Sequence, residues 1–139
     1  MTASAASKRP VPRPNSYVNT EAYWDGAKQH KLLLQYCPKS GRYQHYPRPV
    51  SVYTGARDLE WREAKGTGEV YTYTVIRTKV PGFEDRTPFI VANVQLDEGV
   101  RILANLLNVA PEQARIGMRV RLVWEDIDGT PYPAFEPDR

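Results

Sequence analysis

The sequence predicts a mainly β protein: a short N-terminal helix, a degenerate metal ribbon, and then a small five-stranded barrel. Three observations carry this expectation. Two compact turn segments, Cys37-Pro38-Lys39-Ser40-Gly41 and Ser51-Val52-Tyr53-Thr54-Gly55, follow each other closely. Beyond residue 66, runs of β-branched and aromatic residues alternate with Gly, Pro and Asp turn signals, as successive strands require. Only residues 19–28 show clear helical spacing over more than one turn.

Taken in order, residues 1–16 are rich in Ala, Ser, Pro, Lys and Arg and are expected to form a disordered arm. In residues 19–28, Asn19 or Thr20 suits an N-cap, Glu21 the first turn, and Tyr23, Trp24 and Ala27 an apolar stripe. Residues 32–36 read as a strand entering the first turn segment. The division that follows is an arm at 1–16, helix and ribbon at 17–58, and a barrel at 59–139. Residues 59–64 and 68–78 alternate with period two. Residues 89–96 and 100–107 flank the tight turn Asp97-Glu98-Gly99, and residues 111–115 make one helical turn opened by Pro. Strands over 117–125 and 132–135 close the series around Asp128-Gly129. Five barrel strands with a helical insert before the penultimate one fit an OB-type Greek key, with an SH3-like barrel as the structural competitor.

The two turn segments have the layout of paired C-x-x-C-G zinc knuckles. A tetrahedral structural zinc needs four Cys or His donors. Here Cys37 is present, while Ser40, Ser51 and Thr54 occupy the other three positions. One thiolate and three hydroxyls are too weak a set, so no metal is expected. His30 and His45 are the other soft donors, and both are expected at a polar surface. With a single cysteine, an internal disulfide is excluded.

Hydrophobic residues make up 41% of the 139-residue chain, enough for one modest core. The longest apolar runs fall far short of a membrane span, and the first ten residues lack an apolar stretch, so a cytoplasmic protein without a secretory signal is expected. The net charge of +3 conceals an asymmetry. Residues 1–58 carry nine Lys or Arg against three Asp or Glu, whereas residues 59–139 carry ten against thirteen. A basic ribbon half suits a polyanionic partner or a phosphorylated cofactor.

The ordered series resembles a known family. Its pieces are the aromatic helix, the two knuckles with Tyr46-Pro47-Arg48-Pro49 between them, Leu59-Glu60-Trp61, Gly68-Glu69-Val70-Tyr71-Thr72-Tyr73-Thr74-Val75, Leu96-Asp97-Glu98-Gly99, Gly117-Met118-Arg119-Val120 and Pro133-Ala134-Phe135. Over residues 17–137 the chain is similar to the zinc-ribbon/OB-fold proteins associated with acyl-CoA enzymes, a family catalogued as a domain of unknown function. The resemblance implies a rubredoxin-like ribbon and a non-catalytic subunit that docks on a thiolase-like enzyme, an aldolase or an enoyl-CoA hydratase. It also implies a share in binding acyl-CoA. The three missing cysteines depart from the family pattern and put the zinc, not the barrel, in doubt.

On that reading, the CoA phosphates would seek Lys28, Lys31, Arg42 and Arg48 by charge-assisted hydrogen bonds. Exposed aromatics Tyr23, Trp24 and Phe83 would contact the partner or the acyl group. Each basic residue is equally at home as a solvated surface charge, and Trp61 and Trp124 belong to the core. Catalysis is not expected: Cys37 with His45 lacks an orienting third group, and no Gly-rich phosphate loop precedes a helix. A competing reading is a single-strand nucleic-acid binder. Tyr71, Tyr73 and Arg77 would share one face of a strand, with Lys79 beyond, although the acidic balance of the barrel half opposes a polyanion there. A homo-oligomer formed through an unfilled partner surface also remains open.

Overall fold

The computed structural model describes residues 19–79, 81–82 and 84–139. The expected arm at 1–16 and the proposed anchor Phe83 lie outside these described residues. Helix α1 spans Glu21–Lys28, followed by strands β1 (Leu33–Cys37), β2 (Arg42–Gln44), β3 (Glu60–Glu63), β4 (Thr67–Ile76), β5 (Phe89–Leu96) and β6 (Arg101–Leu106). A 3-10 turn at Pro111–Gln113 precedes β7 (Arg119–Ile127) and β8 (Thr130–Pro137). Among the described residues, no helix is long and apolar enough to cross a membrane.

α1 forms where expected but is capped differently. Thr20 makes no side-chain cap, and Asn19 instead donates to the Pro47 carbonyl at 3.1 Å. The helix stops through a paired closure: His30 N–H donates to Ala27 O and Lys31 N–H to Gly26 O, both at 2.9 Å. His30 takes the left-handed conformation this closure demands, at φ 60°. Tyr23 and Ala27 are buried against the sheet, and Trp24 packs partly buried beside them.

β2, β1 and β3 form a three-stranded antiparallel sheet. The alternating stretch at 59–64, grouped with the barrel by a division at residue 58, hydrogen-bonds to β1 instead, with Leu34 opposite Arg62 and Gln35 opposite Trp61. Ribbon and barrel are therefore continuous through β3 and β4. The barrel closes in the order β4-β5-β6-β8-β7, antiparallel except where β6 meets β8. That is the OB arrangement. Val70, Val94, Leu96, Ile102, Val120 and Phe135 fill it, each at most 2% exposed. Gly68 is required where β4 crosses β5, because a Cβ there would lie 2.3 Å from the Gln95 carbonyl oxygen.

A bulge between Val70 and Thr72 changes which residues of β4 face inward. Strict alternation puts Tyr71, Tyr73 and Val75 on one face. The extra residue breaks that parity. Val70 is buried, Tyr71 and Thr72 both point out, and Tyr73 and Val75 then pack on the core. Tyr73 donates its hydroxyl to Ala114 O at 3.0 Å, while Tyr71 lies outside beneath Arg101. The shared aromatic face expected for nucleic acid is thus absent.

β8 is longer than the expected 132–135 and carries Pro131, Pro133 and Pro137. These share parity with Phe135, whose carbonyl faces β6 and accepts from Leu107 N–H at 2.7 Å. Each missing N–H thus falls on the side where pairing is sparse. Leu106 opposite Phe135 is the register point joining β6 and β8, so these strands diverge beyond it.

Candidate functional site

The four knuckle positions converge as in a metal ribbon. Cys37 is fully buried, and its Sγ lies 3.8 Å from Thr54 Oγ1. The hydroxyls gathered around Cys37, Ser40 foremost and then Ser51, draw its thiol down to about 7 against the opposing effect of burial. Ser51 Oγ accepts from the amides of Tyr53 and Thr54 at 3.1 and 3.2 Å, which fixes the second turn. A tetrahedron with Zn–S bonds of about 2.3 Å has an edge of about 3.8 Å, so Cys37 and Thr54 keep the spacing of two ligands of one ion. The donors do not fit the ion. Among the described residues, no three His, Cys, Asp or Glu side chains stand close enough to hold one.

Hydrogen bonds brace the ribbon instead. Gln35 and Gln44, both 4% exposed, point into the space beneath the loop at residues 45–52. Gln35 donates to Arg48 O at 2.9 Å and accepts from Arg48 N–H at 2.8 Å. Gln44 donates to Val50 O at 3.2 Å and accepts from Val52 N–H at 2.9 Å. Outside this bracket, Tyr36 meets Tyr43 edge-on at 4.9 Å between ring centres, and Arg62 covers Tyr36.

One cleft lies where α1 and the residue 45–47 segment cover the diverging strands β6 and β8. It encloses about 530 Å³. Tyr23, Trp24, Ile102, Ile127, Tyr132 and Pro133 form its largely apolar wall, the usual character of a small-molecule pocket. At one end Glu125 accepts from Asn105 at 3.2 Å and from Arg86 at 2.5 Å, so its charge is compensated. His45 forms another wall, 4.0 Å from Tyr46 and 5.6 Å from Tyr23 between ring centres. The expected polar-surface position does not hold for this histidine. Both ring nitrogens are shielded and without a hydrogen-bond partner, and burial lowers its pKa to about 4. His30 does lie at the surface, stacked on Trp124 at 5.4 Å.

A second cleft of about 590 Å³ opens between the ribbon loop and strands β5 and β6. Arg48, Tyr53, Asn93, Gln95 and Arg101 line it. Arg42 stacks on the Tyr53 ring at 4.2 Å, bringing a third cation to this wall.

The sequence-derived site residues separate on the fold. Arg42 and Arg48 gather at the second cleft. Lys28 and Lys31 line neither cleft; Lys28 sits exposed, 3.9 Å from Asp25. Trp24 faces the apolar cleft, in edge contact with Tyr132 at 5.9 Å. Tyr23 lines the same cleft but is 8% exposed, a wall rather than a protruding anchor, and burial holds its hydroxyl well above the usual tyrosine range. Sequence reading missed Arg101, Leu103 and Tyr132. Each joins the site only through contacts with residues far away in the chain.

The fold defines a class: a ribbon joined to an OB barrel, with a cleft at the join. Comparison with known proteins agrees. Residues 24–50 match the model of the ChsH2 rubredoxin-like zinc ribbon domain, and residues 61–125 that of the ChsH2 C-terminal OB-fold domain. A DUF35 domain-containing scaffold protein of Pyrococcus furiosus is 34% identical over 76% of this chain and 77% of its own length. A chain of the Ltp2-ChsH2(DUF35) aldolase superimposes with a TM-score of 0.83 at 36% identity, covering 90% of this chain and 98% of that one. The probable enoyl-CoA hydratase alpha subunit of Thermomonospora curvata is 37% identical over 98% of this chain, which spans 43% of that subunit. The chain belongs to the ChsH2/DUF35 family.

Proposed function

We propose that this protein is a non-catalytic accessory subunit that docks on a larger acyl-CoA enzyme of hydratase, aldolase or thiolase-like type and shares in binding its acyl-CoA. The observation that carries this reading is the match, over nearly its whole length, to a chain of the Ltp2-ChsH2(DUF35) aldolase. The site agrees. Its one cysteine is buried among hydroxyls, and its principal histidine is neutral and shielded, so neither is placed as a nucleophile or base. Large apolar side chains are nevertheless exposed around the clefts, at Tyr46, Val52 and Leu103, as a docking surface requires. The same surface would let an isolated chain pair with itself. In this reading the ribbon needs no zinc and the protein works in the cytoplasm.

Affinity capture of the tagged chain from its native host, with identification of what accompanies it, tests the proposal. A hydratase, aldolase or thiolase recovered near stoichiometrically supports the accessory role. Recovery of nucleic acid instead, with binding that weakens steeply in salt, would favour the competing reading. β4 argues against that outcome, because its bulge sends Tyr71 and Tyr73 to opposite sides of the sheet.

A further inference from the structure

Strand β4 is paired differently along its two edges. Toward β5 it is met from Gly68, opposite Leu96, to Ile76, opposite Phe89, and the register is regular from Thr72 onward. Toward β7 the pairing covers residues 67–69. The Val70 N–H then donates to Met118 O at 3.0 Å, and the Val70 carbonyl accepts from Gly117 N–H at 2.8 Å. Past Val70, no strand among the described residues pairs with this second edge. Within residues 72–76, alternate positions therefore turn their backbone N–H and C=O groups away from β5. Natural sheets guard such edges with Lys, Pro or a short strand. Tyr71-Thr72-Tyr73-Thr74-Val75-Ile76 carries no charge and no Pro, and its β-branched and aromatic residues suit strand pairing. Tyr71, Thr72 and Thr74 are exposed. Ile116, 69% exposed, precedes the Gly117 that bonds Val70, so a bare apolar side chain flanks the start of the open edge. Charges lie just outside the open stretch and are ordered: Glu69 before it, Arg77 and Lys79 after it, all three exposed.

We propose that the open edge of β4 is a self-association surface, to which a second copy of this chain adds its own residues 72–76 antiparallel, so that two barrels share one continuous sheet. The order of the charges selects this occupant. In a twofold antiparallel pairing centred on Tyr73 or Thr74, Glu69 of one copy falls near Arg77 and Lys79 of the other, and the same contacts form twice. An in-register parallel strand would instead set like charges side by side. Thr72 and Thr74 meet threonines of the second copy across the junction, and the incoming strand covers Ile116. This surface is separate from the docking face. Thr72, Tyr73, Thr74, Val75 and Ile76 line neither cleft. They also lie apart from the ridge between the clefts, where Leu103 N–H donates to the Tyr46 hydroxyl at 3.1 Å. Pairing at β4 thus leaves both clefts of each copy uncovered, and it can form with or without a larger enzyme bound.

Sedimentation velocity of the full chain, from about 5 to about 500 µM, tests the pairing. A reversible dimer with a Kd of about 1–100 µM is expected, because a junction of one short strand per copy is small. Thr74→Lys, which sets a charge on each side of the twofold junction, should weaken association by about tenfold or more. Glu69→Lys should weaken it, as should Arg77→Glu combined with Lys79→Glu. All three together should restore it, because the signs are exchanged at both ends of the strand. Leu103→Asp, on the ridge, should leave it unchanged. Circular dichroism and Tm confirm that each variant is folded. Hydrogen exchange at high against low protein concentration should show added protection within residues 71–79 and none at 46–53 or 101–103. A monomer throughout the concentration range overturns the pairing, and so does a dimer indifferent to Thr74→Lys or not restored by the charge exchange. A dimer abolished by Leu103→Asp and protected at 46–53 overturns it too, placing self-association at the cleft rim. Protection of residues 72–76 only when a captured enzyme is bound would likewise overturn it, by giving the edge to a strand of that partner.

Discussion

Gln44 donates its side-chain amide to the side-chain oxygen of Gln35 at 2.8 Å, across two paired strands of the ribbon and away from water. The two amides then satisfy backbone groups of Arg48, Val50 and Val52, so one buried pair holds most of the loop between the knuckles. A buried donor or acceptor that loses its partner is costly, because it has already given up water. Gln44→Leu strands the Val52 amide and removes the link to Gln35. It is expected to cost about 2–4 kcal/mol, roughly 10 °C in Tm for a domain of this size. Urea and thermal unfolding measure the loss. A change below about 1 kcal/mol would mean that the ribbon is held by its aromatic exterior instead.

The bulge in β4 makes two neighbouring tyrosines unequal. Tyr73 packs on the barrel core and donates to Ala114 O, so Tyr73→Ala is expected to cost about 3 kcal/mol. Tyr71 is 48% exposed and contacts Arg101, so Tyr71→Ala should cost less than about 1 kcal/mol. Parallel denaturant titrations of both variants check the ordering. Equal losses would show that the bulge does not separate their faces in solution.

Much of this architecture was legible because local chemistry signals it. Knuckle turns announce themselves through Pro38, Gly41 and Gly55, the helix through Tyr23, Trp24 and Ala27, and the barrel strands through β-branched runs ending at Gly99 and Gly129. What stayed hidden depends on distant partners. A buried glutamine in an alternating strand looks like a solvated one until its neighbour across the sheet is known, as with Gln35 and Gln44. The stretch Glu60–Glu63 alternates properly, yet nothing local says that it pairs with β1. Bulges leave no clear mark in residue type, so period-two counting put Tyr71 and Tyr73 together. The ridge joins Tyr46 to Leu103 across two domains of the sequence, and with it Arg101 enters the site.

His45 should make stability depend on pH in a defined window. Burial lowers its folded pKa to about 4, below the ordinary unfolded value of about 6.5. Between those values the unfolded chain takes up a proton that the folded chain refuses, so stability falls as pH drops from about 6.5 toward 4. The full effect is at most about 3 kcal/mol. His45→Phe should remove this component. At pH 7, where the imidazole is neutral in both states, it should change stability by no more than about 1 kcal/mol, since the ring nitrogens give up no hydrogen bond. Unfolding free energies of both proteins across this range test the point. Identical pH profiles would show that His45 titrates normally.

The ribbon of this chain keeps the spacing of a zinc site without its donors, and that separation of geometry from chemistry can be tested in both directions. Zinc binding in small modules is itself folding free energy, so a ribbon that used the ion should soften when it is withdrawn. The unaltered protein should contain zinc well below one equivalent by elemental analysis, and EDTA should leave its Tm unchanged. Restoring the donors should reverse this. The separation of Cys37 Sγ and Thr54 Oγ1, 3.8 Å, already matches the edge of a zinc–thiolate tetrahedron, so little backbone movement is needed. Combined Ser40→Cys, Ser51→Cys and Thr54→Cys should therefore yield one tightly held zinc per chain and a Tm that rises with added metal, whereas Ser51→Cys alone should do neither. Stoichiometric zinc in the unaltered protein, released only on unfolding, would show that hydroxyls or distant donors complete the site after all. Failure of the triple variant to bind zinc would show that the Gln35–Gln44 bracket has locked the knuckles into a geometry that no longer admits the ion.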